Sequence, residues 1–328
     1  MVQYSINFKE TNNSANLRLQ PMDCVVKMRT LSVNDIFKVI GNLKYTGNRE
    51  ATVEGLNLCN RKTEKSRILS YAVNGAYRDC VESSQAVTML ITTPECASVY
   101  EPCLRERNGC LILTDEPEEI FYRIHEALCR RGDFYETYEF QTQIGEGCSI
   151  HRTAVIDAGV HLGNHVTIGA LSVIKSGTII EDHVTIGCNC VIGSEGFQII
   201  QIPGKEPLHI SHAGKTHLHE NAYIGDCVCI SKSLFEGETY IGRGVKIDNL
   251  VYVGHNVRIE ENAVITAHVD LCGSSIVKKN AWVAPNASVL NRVVVGEHAK
   301  VGAGSVVTRD VSPASLVYGV PAKSDNRK

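Results

Sequence analysis

The chain has 328 residues, of which 43% are hydrophobic and 21% are charged, and its formal net charge is -3 at pH 7. This composition excludes global disorder and leaves room for two domains with proper cores. The small net charge gives no basic surface for nucleic acid, and no stretch approaches the roughly 18 apolar residues of a membrane span. We therefore expect a small-molecule partner, no nucleic acid and no membrane span.

The N-terminal tail, residues 1–22, is polar and lacks the apolar segment of a secretory signal. The sequence therefore favours a cytoplasmic protein. The 13 cysteines are spread along the chain without a compact framework. We expect them to be reduced thiols that mostly serve packing.

Residues 23–114 are predicted to form a small α/β domain. Leu31 to Leu43 shows helical spacing of apolar residues with Ser32 as a possible N-cap, and residues 86–92 and 109–114 are short apolar runs of strand type. Residues 115–140 are predicted to connect the domains through a helix whose first turn contains Pro117. Its apolar positions continue to Leu128.

The C-terminal half contains an internal repeat in which aliphatic residues recur at every sixth position. A second signal lies four residues after most of them, where the residues are small or β-branched. The phase is lost over residues 194–217, which we interpret as an inserted loop. The 24 aliphatic positions are Ile144, Ile150, Ile156, Leu162, Ile168, Ile174, Ile180, Ile186, Ile192, Leu218, Ile224, Ile230, Ile241, Ile247, Val253, Ile259, Ile265, Leu271, Val277, Val283, Val289, Val295, Val301 and Val307.

A helix of 3.6 residues per turn cannot keep positions six apart on one face, whereas short strands joined by turns can. The pattern resembles the hexapeptide-repeat proteins, which fold as a left-handed parallel β-helix with three strands per coil and usually form trimers. The resemblance implies an all-β left-handed parallel β-helix of eight coils at residues 141–311, a C-terminal tail at residues 312–328, and a homotrimer. At about 4.8 Å per coil the prism would be roughly 38 Å tall.

Residues 242–275, GRGVKIDNLVYVGHNVRIEENAVITAHVDLCGSS, closely resemble the UDP-3-O-acylglucosamine N-acyltransferases of lipid A synthesis. Two further segments resemble the same family, at residues 191–199 and 70–86, so the likeness extends over most of residues 30–310. The resemblance implies an enzyme of lipopolysaccharide or polysaccharide biosynthesis. Its reaction would transfer an acyl group from a thioester to the amine of a nucleotide-linked amino sugar.

The same resemblance assigns Tyr71, Asn74 and Tyr77 to the nucleotide base. Two aromatic rings suit a flat pyrimidine, and the amide of Asn74 offers a donor and an acceptor to its edge. The alternative is that both tyrosines are buried packing residues.

His255, in the segment VGHNV, matches the general base of the family. An imidazole with an ordinary pKa near 6.5 is suited to accept the proton of an attacking amine near neutral pH. A coil of 18 residues would stack Gly273 next to His255 and Asn291 after it, and we expect the missing side chain of Gly273 to leave room for substrate. The alternative is a surface histidine at a coil corner.

Weaker candidates for substrate binding surround this histidine in the sequence. Asp248 and Asn249 match an Asp-Asn pair of the family and would orient sugar or donor, while Glu195 and Phe197, on either side of Gly196, would border the sugar pocket. Simple turn roles are the alternative for each of them.

Four histidines in or next to the inserted loop raise the question of a metal site; they are His209, His212, His217 and His219. We expect no metal, because the zinc carbonic anhydrases with this type of fold need a third histidine in the coils upstream. A loop that folds over the active site, with one of the histidines touching substrate, is the favoured interpretation.

The sequence also departs from the lipid A enzymes. Arg292 stands where they commonly have a second histidine, and the helical extension that they use with acyl carrier protein is not found after residue 323. The segment at residues 301–323 resembles the last coils of hexapeptide transferases that use coenzyme A. We therefore expect acyl-coenzyme A as co-substrate and no other cofactor.

The acceptor is expected to be a UDP- or dTDP-linked amino sugar, because the chain also resembles enzymes that acylate amino-dideoxysugars. Two alternatives stay open. One is UDP-3-O-acylglucosamine N-acyltransferase using acyl carrier protein, and the other is a non-catalytic scaffold that binds a nucleotide sugar.

Overall fold

The computed structural model describes residues 30–136, 138 and 141–324. The predicted polar tail at residues 1–22 lies outside the described residues. Within the described part of the chain, no helix is both long and apolar enough to cross a membrane.

The N-terminal domain is built on a five-stranded sheet with strand order β2-β7-β6-β5-β4, in which only the β2–β7 pair is antiparallel. The strands β1 and β3 form a separate antiparallel pair. The strands are β1 (Leu31–Ser32), β2 (Lys44–Gly47), β3 (Thr52–Val53), β4 (Gly55–Leu56), β5 (Ile68–Ala72), β6 (Val87–Thr92) and β7 (Cys110–Leu113). The helices are α1 (Val33–Ile40), α2 (Arg78–Ser83), α3 (Ala97–Glu106) and α4 (Pro117–Arg131), with 3-10 turns at Gly75–Tyr77 and Pro94–Cys96.

The helices cover both faces of this sheet, as an α/β domain requires. Helices α1 and α4 share one apolar core with the sheet, and α2 and α3 share the other. The predicted N-cap of α1 is confirmed, because the Ser32 hydroxyl accepts a hydrogen bond from Asp35 N–H and the Asp35 carboxylate accepts one from Ser32 N–H. Both predicted strands are present as β6 and β7.

Helix α4 is more than the connecting segment that the sequence predicted. Phe121, Ile124 and Leu128 are fully buried in the core that α4 shares with the sheet. The helix therefore completes the α/β domain, and it ends at Gly132, whose left-handed φ of 63° closes the last turn.

The C-terminal domain is a left-handed parallel β-helix with three sheets. The first sheet consists of Val155–Ile156, Val173–Ile174, Val191–Ser194, Cys229–Ser231, Tyr252–Val253, Asp270–Leu271, Ser288–Val289 and Val306–Val307. The second consists of Gln143–Ile144, His161–Leu162, Thr178–Ile180, Lys215–Leu218, Glu238–Ile241, Arg258–Ile259, Ile276–Val277 and Val294–Val295. The third consists of Ser149–Ile150, Thr167–Ile168, Thr185–Ile186, Tyr223–Ile224, Lys246–Ile247, Val264–Ile265, Trp282–Val283, Lys300–Val301, Leu316–Tyr318 and Lys323–Ser324.

The six-residue ladder is confirmed as the inward column of each sheet. Ile259, for example, pairs with Ile241 and Val277 in the coils on either side, and all three are fully buried. Each sheet holds eight of the predicted aliphatics, so the eight coils are also confirmed. The stacked side chains form one continuous apolar core, which stabilises the prism.

The ends of the predicted segments need two corrections. The strand Lys215–Leu218 already lies in register with Thr178–Ile180, so the interruption spans residues 195–214 and is shorter than predicted. Leu316–Tyr318 continues the third sheet beyond residue 311, because Val317 adds another buried side chain to the ladder. The interruption contains its own hairpin, Ile199–Ile200 paired with Leu208–His209.

The 12 cysteines in the described part of the chain are free thiols, as expected.

Candidate active site

The ladder departs from the six-residue phase twice, between Ile192 and Leu218 and between Ile230 and Ile241, and both departures lie at one corner of the β-helix. We call five consecutive turns that join the first sheet to the second the insertion corner; they are residues 195–214, 232–237, 254–257, 272–275 and 290–293. The two longer turns, 195–214 and 232–237, belong to the coils directly before the one that carries His255. The two longer turns therefore add residues next to His255. Over the same coils, the turns at the other two corners keep their regular length.

The hydrogen bonds of His255 fix which ring nitrogen carries the proton. Leu234 N–H donates to Asn256 Oδ1 (3.1 Å), and the same oxygen lies 2.9 Å from His255 Nδ1. Because the amide oxygen can only accept, Nδ1 is the protonated nitrogen of the neutral ring. Asn256 is itself held, since Thr239 Oγ1 accepts its backbone N–H and its Nδ2 bonds to Ser233 Oγ. His255 therefore presents an unprotonated Nε2.

The environment of His255 favours the neutral imidazole. Only 6% of the residue is exposed, and burial lowers its pKa below 6.5, an effect that the hydrogen bond to Asn256 partly opposes and the positive charge of Arg61 reinforces. The ring is thus ready to accept a proton at neutral pH.

Gly273 stacks directly beside His255, as the 18-residue coil predicted. Ser274 N–H donates to His255 O (2.8 Å), and Arg292 N–H donates to Gly273 O (3.3 Å). A Cβ on Gly273 would lie only 2.6 Å from His255 Nε2. The space beside Gly273 is therefore filled by the imidazole itself, and the expectation that it would hold substrate needs correction.

The turn 195–214 packs His212 against His255, with the ring centroids 5.3 Å apart. His212 Nδ1 donates to Ile210 O (3.0 Å), and burial lowers its pKa to about 3, with the charge of a protonated His255 adding to the shift. His212 is therefore neutral, so it places no positive charge beside the candidate base. Its Nε2 lies against Gly196, where a Cβ would come within 2.3 Å.

Helix α4 holds this turn in place. Glu126 accepts hydrogen bonds from Ser211 N–H (2.6 Å) and Ser211 Oγ (3.1 Å), and His125 Nε2 lies 2.8 Å from Ser211 O. Farther along, Lys205 Nζ pairs with Glu119 Oε1 at 2.8 Å. The N-terminal domain is thereby coupled to the chain that covers His255.

Aromatic rings extend this coupling from the sheet of the α/β domain to the insertion corner. Tyr71, at the end of β5, lies 5.0 Å from Phe121, and Phe121 lies 5.7 Å from Phe235 in the turn 232–237. Tyr122 also contacts both Tyr71 and Phe235, at 5.9 and 6.3 Å between ring centroids. The aromatic rings thus join β5, α4 and the turn 232–237.

The structure does not bring Tyr71 and Tyr77 together as two faces of a base site. Tyr71 packs against the core on the α4 side of the sheet and donates its hydroxyl to Glu118 Oε1 (2.7 Å), whereas Tyr77 packs against the core on the α3 side. Asn74 is exposed between them, and its Oδ1 accepts Ala76 N–H at 3.0 Å. The assignment of these three residues to a base stays a prediction.

The other candidates are distributed over two corners. Asp248 and Asn249 are exposed in the turn that joins the third sheet to the first, where Asn249 Oδ1 accepts Asp226 N–H at 2.7 Å. Glu195 lies at the insertion corner, pairs with Lys232 at 2.7 Å and accepts His212 N–H at 3.0 Å.

Three further candidates at the insertion corner are exposed: Phe197 for 77% of its surface, and Asn291 and Arg292 in the coil after Gly273.

The four histidines of the predicted cluster separate into different environments. His209 lies in the hairpin and His212 at His255, whereas His217 and His219 lie on the outer side of the second sheet with Glu181. Glu181 Oε1 is 3.0 Å from His217 Nε2 and 3.0 Å from His219 Nδ1, and these atoms are close enough together to hold a metal ion. Glu238 Oε2 lies 3.1 Å from His217 Nδ1. This group belongs to the outer face of the β-helix and not to the insertion corner.

Comparison with known proteins matches four parts of the C-terminal domain to the family described as bacterial transferase hexapeptide (six repeats): residues 141–176, 159–194, 238–269 and 274–309. The C-terminal domain is a hexapeptide-repeat β-helix. A solved structure of UDP-N-acetylglucosamine acyltransferase from Campylobacter jejuni supports this fold, with a TM-score of 0.51 and 22% identity over 56% of this chain and 69% of that one.

Two curated relatives share sequence with part of the chain. The UDP-3-O-acylglucosamine N-acyltransferase of Campylobacter lari is 37% identical over 132 residues, and that of Wolinella succinogenes is 33% identical over 131 residues. Each match covers 40% of this chain and 41% of the relative. The chain thus spans about two fifths of the length of the curated relatives that it matches.

The sequence did not identify two residues that influence His255, which are Asn256 and Arg61. Asn256 follows His255 directly, and its role depends on Leu234, which is 22 positions away in sequence. Arg61 lies in a loop of the α/β domain, with no periodicity to mark it. A polar residue adjacent to a candidate base was the only available signal for Asn256, and Arg61 had none.

Proposed function

We propose that the protein is an N-acyltransferase that moves an acyl group from a thioester to the amine of a nucleotide-linked amino sugar, with His255 as the general base. The observation that carries the proposal is the hydrogen bond from His255 Nδ1 to an Asn256 oxygen that also accepts Leu234 N–H. The likeness of 132 residues to UDP-3-O-acylglucosamine N-acyltransferases supports the reaction class.

The proposed mechanism is direct attack without an acyl-enzyme. The sugar amine adds to the thioester carbonyl carbon while His255 Nε2 takes one proton from the amine. A backbone N–H at the insertion corner, such as that of Gly273, stabilises the oxyanion. The carbon–sulfur bond then breaks, the amide forms, and the imidazolium returns its proton to the leaving thiolate.

Acyl-coenzyme A is the proposed donor. The support is the sequence likeness of residues 301–323 to the last coils of coenzyme A-using hexapeptide transferases. Acyl carrier protein remains the alternative donor, in which case the activity would be that of UDP-3-O-acylglucosamine N-acyltransferase. UDP- or dTDP-linked amino sugars are the proposed acceptors, with Tyr71, Asn74 and Tyr77 at the base.

We also propose that the active protein is a homotrimer. Large apolar side chains are exposed on the outer side of the third sheet, including Tyr223 and Trp282, of which 48% and 46% are exposed. Asp248 and Asn249 lie at a different corner from His255, so they reach a shared site only if two chains meet at each active site. We propose a cytoplasmic location, which the free thiols of the 12 cysteines in the described part of the chain support.

The test is mass spectrometry of reactions that offer a short 3-hydroxyacyl-coenzyme A, or the matching acyl carrier protein thioester, with UDP- and dTDP-linked amino sugars. An N-acylated product is expected with coenzyme A. Product from the carrier protein alone would assign the donor to that protein instead. Tight binding of a nucleotide sugar without turnover of either donor would support the scaffold alternative and reject the enzyme.

The assignment of the base is tested with His255→Ala. We expect kcat/KM to fall by about 10²- to 10⁴-fold with an unchanged circular dichroism spectrum. The matched control is His151→Ala, an exposed histidine of the first coil outside the insertion corner. Near-normal turnover by folded His255→Ala would refute the mechanism.

A further inference from the structure

Two of the four clustered histidines meet a carboxylate on the outer face of the second sheet. Glu181 Oε1 lies 3.0 Å from His217 Nε2 and 3.0 Å from His219 Nδ1, and the three atoms all lie within 4.8 Å of one another. Two ligands of a tetrahedral Zn²⁺ ion are roughly 3.3 Å apart, because each bond is about 2.0–2.1 Å long. The three atoms are therefore spaced almost as zinc ligands are. The carboxylate lies 36 positions before His217, so the spacing of the histidines did not reveal it.

The backbone of the β-helix fixes the positions of these three side chains. His217 pairs with Ile179 of the preceding coil, and Glu181 N–H donates to Leu218 O at 2.9 Å. Leu218 points into the core, so its neighbour His217 points outward, and His219 follows on the same outer side. The group thus joins the coil before the turn 195–214 to the coil after it.

Two further hydrogen bonds orient the ligand atoms. Glu238 Oε2 lies 3.1 Å from His217 Nδ1, and because a carboxylate oxygen can only accept, this nitrogen carries a proton. His217 Nε2 is then the nitrogen available to a metal, and histidines that bind metals commonly donate their other N–H to a carboxylate in this way. Glu220 N–H donates to Glu181 Oε2 at 3.0 Å, which turns Oε1 toward the histidines.

The two imidazole rings are held by stacking but are still open to solvent. The ring centroids of His217 and His219 are 3.9 Å apart, and the ring of Tyr240 lies 4.4 Å from that of His219. The side chains of His217, His219 and Glu181 are 18%, 21% and 38% exposed. An ion can therefore reach the group, and water can occupy a fourth coordination position.

We propose that Glu181, His217 and His219 bind a zinc ion that links two successive coils where the chain returns to the ladder after the turn 195–214. Two imidazole nitrogens and a carboxylate oxygen are a donor set that suits Zn²⁺. The ion holds the strand Lys215–Leu218 against Thr178–Ile180, and its charge offsets the two carboxylates beside His217. The site lies outside the insertion corner and does not depend on the proposed reaction.

The first experiment is isothermal titration calorimetry with zinc chloride on the full chain after removal of metal by a chelator. We expect one saturable site in wild type. Each substitution of a ligand should weaken zinc binding by about 100-fold or more, and Glu238→Gln by about tenfold, because Glu238 contacts a ligand and not the ion. The ligand variants are Glu181→Gln, His217→Gln and His219→Gln. The matched control is His161→Gln, at a histidine of the same sheet that bonds to Gln143, and its affinity should equal that of wild type.

Spectra of the protein with Co²⁺ in place of zinc distinguish this site from the free cysteines, since thiolates also bind zinc. Nitrogen and oxygen ligands give Co²⁺ visible d–d bands without the near-ultraviolet charge-transfer band of a thiolate site. We expect these visible bands in wild type and their loss in folded His217→Gln. A thiolate band that persists in every variant, or equal zinc affinities in wild type and the three ligand variants, would overturn the proposal.

Hydrogen exchange tests the link between the coils. Saturating Zn²⁺ should slow exchange of the amides at residues 215–218 in wild type and in His161→Gln, and should have no effect in folded His219→Gln. Equal slowing in His219→Gln would mean that zinc acts elsewhere, and no slowing in wild type would mean that the ion does not link the coils. None of these measurements uses turnover, so their outcome is separate from that of the proposed function.

Discussion

The regular coils of the β-helix and its insertion corner differ in the kind of side chain that they bury. Along the coils every ladder position takes an aliphatic residue, and the side chains of one coil pack on those of the next. At the insertion corner the extra chain covers polar groups, and His212 and His255 are 4% and 6% exposed. The ladder thus supplies apolar packing, whereas the candidate catalytic groups lie where two coils break the period.

The largest expected effect comes from a charge in the ladder. Ile259→Asp should destabilise the β-helix by about 4 kcal/mol or more, because the carboxylate would be buried without a partner between Ile241 and Val277. Urea unfolding of the full chain measures the change. Lys300→Asp, on the exposed outer side of a strand, should change the free energy of unfolding by less than about 0.5 kcal/mol. Equal losses in the two variants would contradict an apolar inner column.

A smaller effect is expected at Gly273, which lies in the coil next to the proposed base His255. Gly273→Ala should lower kcat/KM by about 10- to 100-fold, because the new methyl group would displace the His255 ring, whose Nε2 lies 2.6 Å from the added Cβ position. Steady-state kinetics measure the loss.

A double-mutant cycle tests whether the loss from Gly273→Ala passes through His255. In the His255→Ala background, Gly273→Ala should have little further effect, because the ring that it displaces is already gone. Additive losses would mean that Gly273 acts on substrate directly.

Gly273 and His255 also show how much of the structure could be predicted from the sequence. A six-residue period can be read from single positions, so it predicted the ladder, the coil count and the stacking of Gly273 beside His255. The spacing of apolar residues predicts the apolar face of α4, but it does not show against which of the two domains that face packs. His212 reaches His255 only through a tertiary contact, and the hydrogen bond that holds Asn256 comes from Leu234, 22 positions away, so these roles had to come from the structure.

The connection between the domains provides a third, more moderate prediction. Glu126→Gln should weaken the attachment of the turn 195–214 by about 1–2 kcal/mol, because a buried carboxylate that accepts two hydrogen bonds from Ser211 becomes a neutral amide. Hydrogen exchange of the backbone amides at residues 209–212 should speed up accordingly. The control is Glu101→Gln, whose pair with Arg105 is exposed on α3, and equal exchange in both variants would show that α4 does not hold the turn.

The smallest effect concerns the pH dependence of the proposed base. The pKa of His255 is lowered first by burial and further by Arg61, while Asn256 opposes the shift, so log(kcat/KM) should fall on the acid side with an apparent pKa below 6.5. Arg61→Met removes a positive charge that disfavours the imidazolium, and it should raise this apparent pKa by less than one unit. Arg105→Met, at an exposed arginine of α3, should leave the apparent pKa unchanged, and a downward shift in Arg61→Met would contradict the effect of the Arg61 charge on His255.

The free energy of unfolding should also decrease as the pH falls, and this provides a test that does not depend on turnover. His125, His212 and His255 all have folded-state pKa values below 6.5, so the unfolded chain binds more protons than the folded one in acid. The stability that they contribute is present above pH 6.5 and is lost as the pH falls below it. These histidines lie on α4 and at the insertion corner, whereas the ladder has no titrating groups. Proteolysis at decreasing pH should therefore release the turn 195–214 before the coils unfold, and simultaneous loss of both would contradict the separation between corner and ladder.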